Sequence, residues 1–329
     1  MFIINEIHGY SAITLIWEPS IYISSSALLN APFSYLRLMY YLTAVLYYLI
    51  IKPFSMLPLA VTYRLADLLY VVFFHITGYR KKVVYDNLRR SFPDKTEKEI
   101  QLLMKQFYHH FTDLFVESLH LFNISEKEAK ERFVFTNPDI FHRHFNEGRN
   151  VILAGGHYNN WEMFAVTVAA AMKHKTIALY KPLSSKFFDA KMRETRGKYG
   201  LNLVSTKKVK ELFTEMIKEP SMIIFAIDQS PRNPNKSHWM KFLHQDTAVL
   251  FGTEKYAIEY NCPVYYGRIR KVSRGHYEID FTIVTENPRD TKIGEITEAH
   301  TRLLEADIVR EPQYWLWSHR RWKHRKKTE

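Results

Sequence analysis

Val151-Ile152-Leu153-Ala154-Gly155-Gly156-His157-Tyr158-Asn159-Asn160-Trp161-Glu162 is the stretch on which the reading of this chain turns. An apolar run, two glycines, a histidine and then a second apolar run (Met163 to Met172) spell a buried strand, a glycine turn and a buried helix starting near Trp161. His157 then sits in the loop at the strand's exit, and Glu162 in the first helical turn. On one continuous helix the two side chains would diverge by about 140°, so they meet only if the chain bends between them. A histidine with a carboxylate beside it is what an enzyme needs to take a proton from a hydroxyl. The same residues also fit a capping box, with Asn159 as the cap, Glu162 reaching back to it and His157 an ordinary loop residue.

Working outward, the pattern keeps alternating. The spacing predicts strands over Val151–Ala154, Thr176–Tyr180, Leu201–Val204, Met222–Ile227, Val264–Val272 and Tyr277–Val284. It predicts helices over Trp161–Met172, Lys186–Tyr199, Lys207–Lys218, Thr253–Tyr260 and Ile293–Val309. That order implies an α/β sheet with helices on its faces, whose sites lie at the C-terminal ends of strands. Polar clusters stand at three such ends: His157, Tyr180-Lys181-Pro182 and Asp228-Gln229-Ser230-Pro231-Arg232.

The first third reads differently. Leu38 to Ile51 is uncharged, Lys52 and Pro53 interrupt it, and a second apolar segment runs from Leu65 to Ile76 before Arg80-Lys81-Lys82 and Arg89-Arg90. Each segment is short for a bilayer span; joined across a snorkelling Lys52 the stretch could reach across. Membrane attachment is the expectation, with basic residues on the cytoplasmic side and spanning or lying flat left open. Residues 1–38, Ser-rich and without periodicity, read as an upstream extension, with Met39 as the start. Residues 39–80 then form a membrane-associated helical segment and 81–329 the catalytic domain. Thr96 with Glu99 marks the start of a further helix whose Phe107, Phe111, Leu114, Phe115 and Leu119 share one face.

Composition bounds the chemistry. Hydrophobic residues at 47% mark a globular chain, and 46 Lys plus Arg against 34 Asp plus Glu, net +12, favour partners rich in phosphate. A single cysteine, Cys262, excludes an internal disulfide framework. There is no nucleotide loop and no Cys/His spacing for zinc, so neither cofactor nor metal is expected. Adjacent His109 and His110 point about 100° apart on a helix and do not clamp one ion. The tail His319 to Lys327 is basic with Trp322 inside it, a composition suited to nucleic acid or to an anionic membrane surface. Beside an apolar N-terminal third, the membrane is preferred and nucleic acid is not expected.

The chain resembles the lipid A biosynthesis acyltransferases, the late lauroyl- and myristoyl-transferases of the lysophospholipid-acyltransferase-like superfamily. The resemblance rests on an ordered set: Tyr79-Arg80 through Asn87-Leu88 before Phe92-Pro93; Gly156-His157 with Glu162; Tyr180-Lys181-Pro182; Asp228-Gln229; Gly252-Thr253; and Pro312-Gln313-Tyr314-Trp315-Leu316-Trp317 with His319-Arg320-Arg321. It departs after Gln229, where the family's Gly-rich or basic segment and Phe-Phe-Gly element are replaced by Ser230 to Asn235 and Phe242-Leu243-His244.

The resemblance implies a mixed central sheet flanked by helices, glycerolipid-acyltransferase-like, with an N-terminal membrane-associated segment. It implies transfer of a fatty acyl chain from an acyl-carrier-protein or coenzyme A thioester to a hydroxyl of a lipid A precursor, at the cytoplasmic face of the bacterial inner membrane. His157 would be the general base and Glu162 would orient its imidazole. Tyr180, Lys181, Arg193, Arg196 and Arg232 fall to substrate binding, the cations serving phosphates. Backbone N–H groups at the helix start near Asn160 are candidates to stabilise the tetrahedral intermediate, while Asp228 and Gln229 position polar groups or support the site from behind. The rival readings are an aminolipid or lysophospholipid acceptor, an acyl thioesterase, and a basic membrane- or nucleic-acid-binding protein without catalysis.

Overall fold

A computed structural model describes residues 33–326. The proposed upstream extension therefore falls mostly outside the described residues, as does the end of the basic tail. The first helix, α1 (Phe33–Leu46), contains Met39 within its length and runs on through a wider turn to Ile51. A break at Met56-Leu57-Pro58 separates it from α2 (Leu59–Tyr70), which continues to Ile76. Leu59–Ile76 is the one described helix long and apolar enough to cross a membrane. One stripe of it, Thr62, Ala66, Tyr70 and Phe74, is nonetheless buried from end to end, at the four-residue spacing of a single helix face. That stripe packs on α4 (Glu97–His120), which follows α3 (Lys81–Ser91) and starts at the expected Thr96–Glu99 capping box.

After α5 (Glu126–Arg132) the chain builds a seven-stranded sheet in the order β1-β9-β8-β2-β5-β3-β4. The strands are β1 (Phe133–Phe135), β2 (Val151–Gly155), β3 (Lys175–Tyr180), β4 (Asn202–Ser205), β5 (Ser221–Ala226), β8 (Val264–Ser273) and β9 (His276–Thr285). β2 pairs in parallel with both β5 and β8, and only the β8–β9 hairpin is antiparallel, so the sheet is mixed as expected. Val151, Ile152, Leu153, Met222 and Ile223 are buried, which explains their unbroken hydrophobicity: a central parallel strand has no solvated face. The crossover helices are α6 (Trp161–Ala171), α7 (Lys186–Gly197) and α8 (Gly252–Tyr260), and α9 (Glu295–Arg310) follows the last strand.

All six predicted strands are present. The predicted helix over Lys207–Lys218 is broken into a 3₁₀ turn at Thr206–Lys208, one α turn at Val209–Glu211 and a wide turn at Leu212–Met216. The three-residue β1 and the hairpin of β6 (Ser237–Phe242) with β7 (Gln245–Leu250) were not foreseen. The hairpin turns at Leu243-His244, both left-handed at φ 47° and 65°, the two-residue geometry usually written Asn-Gly. A leucine adopts it here because its side chain is buried and its N–H donates to Glu305.

Candidate functional site

Register creates the site. Gly155 of β2 stands opposite Ala226 of β5, and Ile227 N–H donates to the Gly155 carbonyl at 3.0 Å. His157 and Asp228 each lie two residues beyond those partners, so the chain exits of two neighbouring parallel strands meet. The His157 ring presents Nδ1 to Asp228 Oδ1 at 2.7 Å, and the His157 backbone N–H donates to Oδ2 at 2.8 Å. Trp315 Nε1 donates to the same Oδ2 at 2.8 Å. Burial alone would push the Asp228 carboxyl up; the facing imidazole and the hydrogen bonds from His157 and Trp315 outweigh it and hold it below the usual range. An ionised carboxylate only accepts, so Nδ1 carries a proton, and in the neutral imidazole the lone pair then lies on Nε2. The Gln229 side-chain nitrogen stands 3.3 Å from that Nε2. Gly156 permits this approach: a Cβ there would meet a Leu304 methyl at 2.8 Å and Asp228 Oδ2 at 3.4 Å.

The turn from His157 into α6 is fastened at every residue. Tyr158 donates its hydroxyl to the Asp307 carbonyl at 3.0 Å. Asn159 takes the left-handed conformation, its N–H on the Tyr314 carbonyl and its side-chain amide on the Ile269 carbonyl. Asn160, not Asn159, is the helix cap: its Oδ1 accepts from Met163 N–H at 2.8 Å, and its amide nitrogen donates to Glu117 at 2.6 Å. Glu162 consequently sits one position earlier in the helix than a capping box requires.

The carboxylate on the imidazole is thus Asp228, where the sequence suggested Glu162. Both Glu162 oxygens are instead taken by Arg196 of α7, Nε at 3.0 Å and Nη2 at 2.9 Å, in a buried two-pronged pair. Arg193, three residues earlier, stays exposed with its guanidinium 5.9 Å from the Tyr180 ring. The two arginines, three residues apart on α7, part ways, one to the interior and one to the surface. Lys181 and Arg232 are exposed beyond the ends of β3 and β5.

An apolar cleft opens beside His157, lined by Phe164, Leu179, Tyr180, Leu201, Leu203 and Ile224, with Arg196 and the face of Trp161 near its polar end. The Trp161 and His157 rings lie 5.2 Å apart. Cys262 is no nucleophile, since burial pushes its thiol up to about 12. His109 stacks on Tyr70 while His110 is buried against Tyr314, so the adjacent pair is divided between separate packing roles. The basic tail is built into the domain rather than left as a free arm: Arg321 is buried on the Ala248 carbonyl, Trp322 donates to Thr247, and His324 meets the Pro231 carbonyl at 2.7 Å.

Residues 31–324 match the family described as bacterial lipid A biosynthesis acyltransferase. The chain belongs to that family. No individual curated protein matches it. In this acyltransferase the hydrogen bond between Asp228 and the His157 ring, and that from Trp315 to Asp228, are what the sequence reading did not foresee. A signal for the first was present: Asp228 follows its strand at the offset by which His157 follows its own.

Proposed function

We propose that this acyltransferase moves a fatty acyl chain from an acyl-carrier-protein or coenzyme A thioester to a hydroxyl of a lipid A precursor, with His157 as general base. The observation that carries the proposal is the buried His157–Asp228 pair, with Nδ1 on the carboxylate, beside an apolar cleft. His157 Nε2 takes the proton of the acceptor hydroxyl as its oxygen bonds to the thioester carbon. The carbon–sulfur bond then breaks, and the imidazolium gives its proton to the departing sulfur, which leaves as a thiol and restores the base. Asp228 keeps the imidazole in the required tautomer and stabilises its charged form. The start of α6 supports the negative charge of the tetrahedral intermediate through its dipole and first-turn amides. The Glu162–Arg196 pair fixes α6 against α7 at the polar end of the cleft, whose apolar walls suit the acyl chain. Lys181, Arg193 and Arg232 stand where an acidic head group or the donor's phosphate would approach.

The proposed place of work is the cytoplasmic face of the inner membrane. Tyr41, Leu49, Ile50, Met56, Leu68 and Ile76 are exposed on the N-terminal helices, an apolar surface beyond what a water-borne protein shows. Because the opposite stripe of α2 packs on α4 along its whole length, the reading favoured is a helix lying in the interface, not crossing it. His157→Ala in purified enzyme, assayed for acyl transfer from a lauroyl-carrier-protein thioester to lipid A precursor, is expected to lose a factor of about 10² or more. Turnover near wild type overturns the mechanism. Mass spectrometry of membrane lipids from a deletion strain tests the acceptor: lipid A short of one acyl chain is expected, and unchanged lipid A refutes it.

A further inference from the structure

Glu117 lies in the last turn of α4, buried, outside the dyad just described. Three donors from three separate parts of the chain converge on it. Tyr63 of α2 donates its hydroxyl to Oε1 at 2.8 Å, Tyr277 of β9 donates to Oε2 at 2.9 Å, and Asn160 donates to Oε2 at 2.6 Å. The Asn160 amide has no freedom in this: its oxygen already caps α6 through Met163 N–H, so its nitrogen must face Glu117. Asn160 sits in the turn between His157 and Trp161, and Trp161 packs against the imidazole. A carboxylate buried at this depth is costly to keep where an apolar side chain would fill the space, so its retention calls for a positional reason.

The origin of the Tyr63 hydroxyl matters. Tyr63 stands on the helix that exposes Val61, Leu68 and Ile76 to the outside. Arg274 ties the same helix down a second time, donating to Asp67 at 2.6 Å and to Asp113 of α4 at 2.6 Å. How α2 sits on α4 therefore bears directly on the carboxylate that holds the catalytic turn.

We propose that Glu117 is a positioning residue for the His157–Glu162 turn, and that Tyr63 links that positioning to the seating of the lipid-facing helix α2. The proposal rests on the reading of His157 as base. A misplacement of about 1 Å in such a turn is enough to lower turnover by up to about 10²-fold without touching substrate binding.

The test uses the full chain, a lauroyl-carrier-protein thioester and lipid A precursor, in detergent micelles and in vesicles containing anionic phospholipid. Tyr63→Phe is expected to lower kcat by about 10-fold with KM for the thioester within about twofold, and to abolish the gain in kcat on passing from micelles to vesicles. Tyr277→Phe removes an equivalent hydrogen bond from the sheet side, and is expected to lower kcat while keeping that gain. Glu117→Gln retains an acceptor for Asn160 and is expected to remain more active than Glu117→Leu. Wild-type kcat in Tyr63→Phe, losses confined to KM or to thermal stability, or absence of a vesicle gain in the wild type each overturns the proposal. His157→Ala run alongside separates the two ideas: if it is active, the base assignment has failed, and if it alone is inactive, the positioning role has failed.

Discussion

Replacing Asp228 by asparagine should disable the enzyme by turning its histidine around. Oδ2 of Asp228 accepts from two donors, the His157 backbone N–H and Trp315 Nε1, and Oδ1 faces Nδ1. An amide has one oxygen to place. With that oxygen toward the two fixed donors, its NH₂ faces Nδ1, and the imidazole must move its proton to Nε2. The alternative sets the NH₂ against both donors and leaves each buried without an acceptor, at about 1–3 kcal/mol apiece. The first arrangement wins, and in it the lone pair that should take the acceptor's proton is gone. A wrong tautomer of this kind lowers kcat by about 10³–10⁴-fold, or roughly 4–5.5 kcal/mol of transition-state stabilisation. Initial rates of acylated-lipid formation by Asp228→Asn, across thioester concentrations, give the answer directly. A kcat within tenfold of wild type refutes the reasoning, most clearly if Glu162→Gln is the variant that loses 10³-fold while its melting temperature holds.

Glu162→Gln should act mainly on stability, because it leaves Arg196 buried without its carboxylate, a change worth about 3–5 kcal/mol that a denaturant titration would register. Trp315→Phe keeps the packing but removes one hydrogen bond to an ionised group, so kcat should fall by roughly 10-fold, about 1.4 kcal/mol, measured in the same transfer assay. Leu49→Glu with Ile50→Glu places charge on the exposed apolar surface; sedimentation with vesicles should show weakened binding while the thioester KM in micelles is unchanged. Buried His300 and His319 are both pushed down to about 3, His300 by burial and His319 by burial and then by Arg321 and Lys323. As pH falls below about 6.5 the unfolded chain takes up these protons first, so each histidine removes about 1.4 kcal/mol of stability per pH unit toward pH 4. Urea unfolding at pH 7.5 and 5.5 should differ by about 1.4 kcal/mol for each histidine, less in His300→Gln; equal stabilities refute it.

Periodicity exposed the strands because β2 and β5 are apolar without interruption, and the family's ordered motifs are spread along the whole chain. Polar residues at strand ends were also readable, Asp228-Gln229 among them. Strand order was not. β2 and β5 are neighbours although β3 and β4 come between them in the chain, so the partner of His157 lies 71 residues away while Glu162 is close at hand. Proximity in sequence drew the eye to Glu162, whereas Nδ1 of the imidazole meets Asp228, and with the cap at Asn160 rather than Asn159 Glu162 meets Arg196 of α7. The Leu243-His244 turn escaped notice for a different reason: burial and a hydrogen bond to Glu305 hold a conformation that local residue preference does not announce.

Trp315 reaches Asp228 from far along the chain, beyond every strand of the sheet and next to the segment that packs on β6 and β7. The apolar helices α1 and α2 are made first. During synthesis, then, the exposed apolar surface of these two helices is made long before the carboxylate that faces His157 has its indole clamp. The order of synthesis completes the surroundings of Asp228 last, after every strand of the sheet and after both apolar helices.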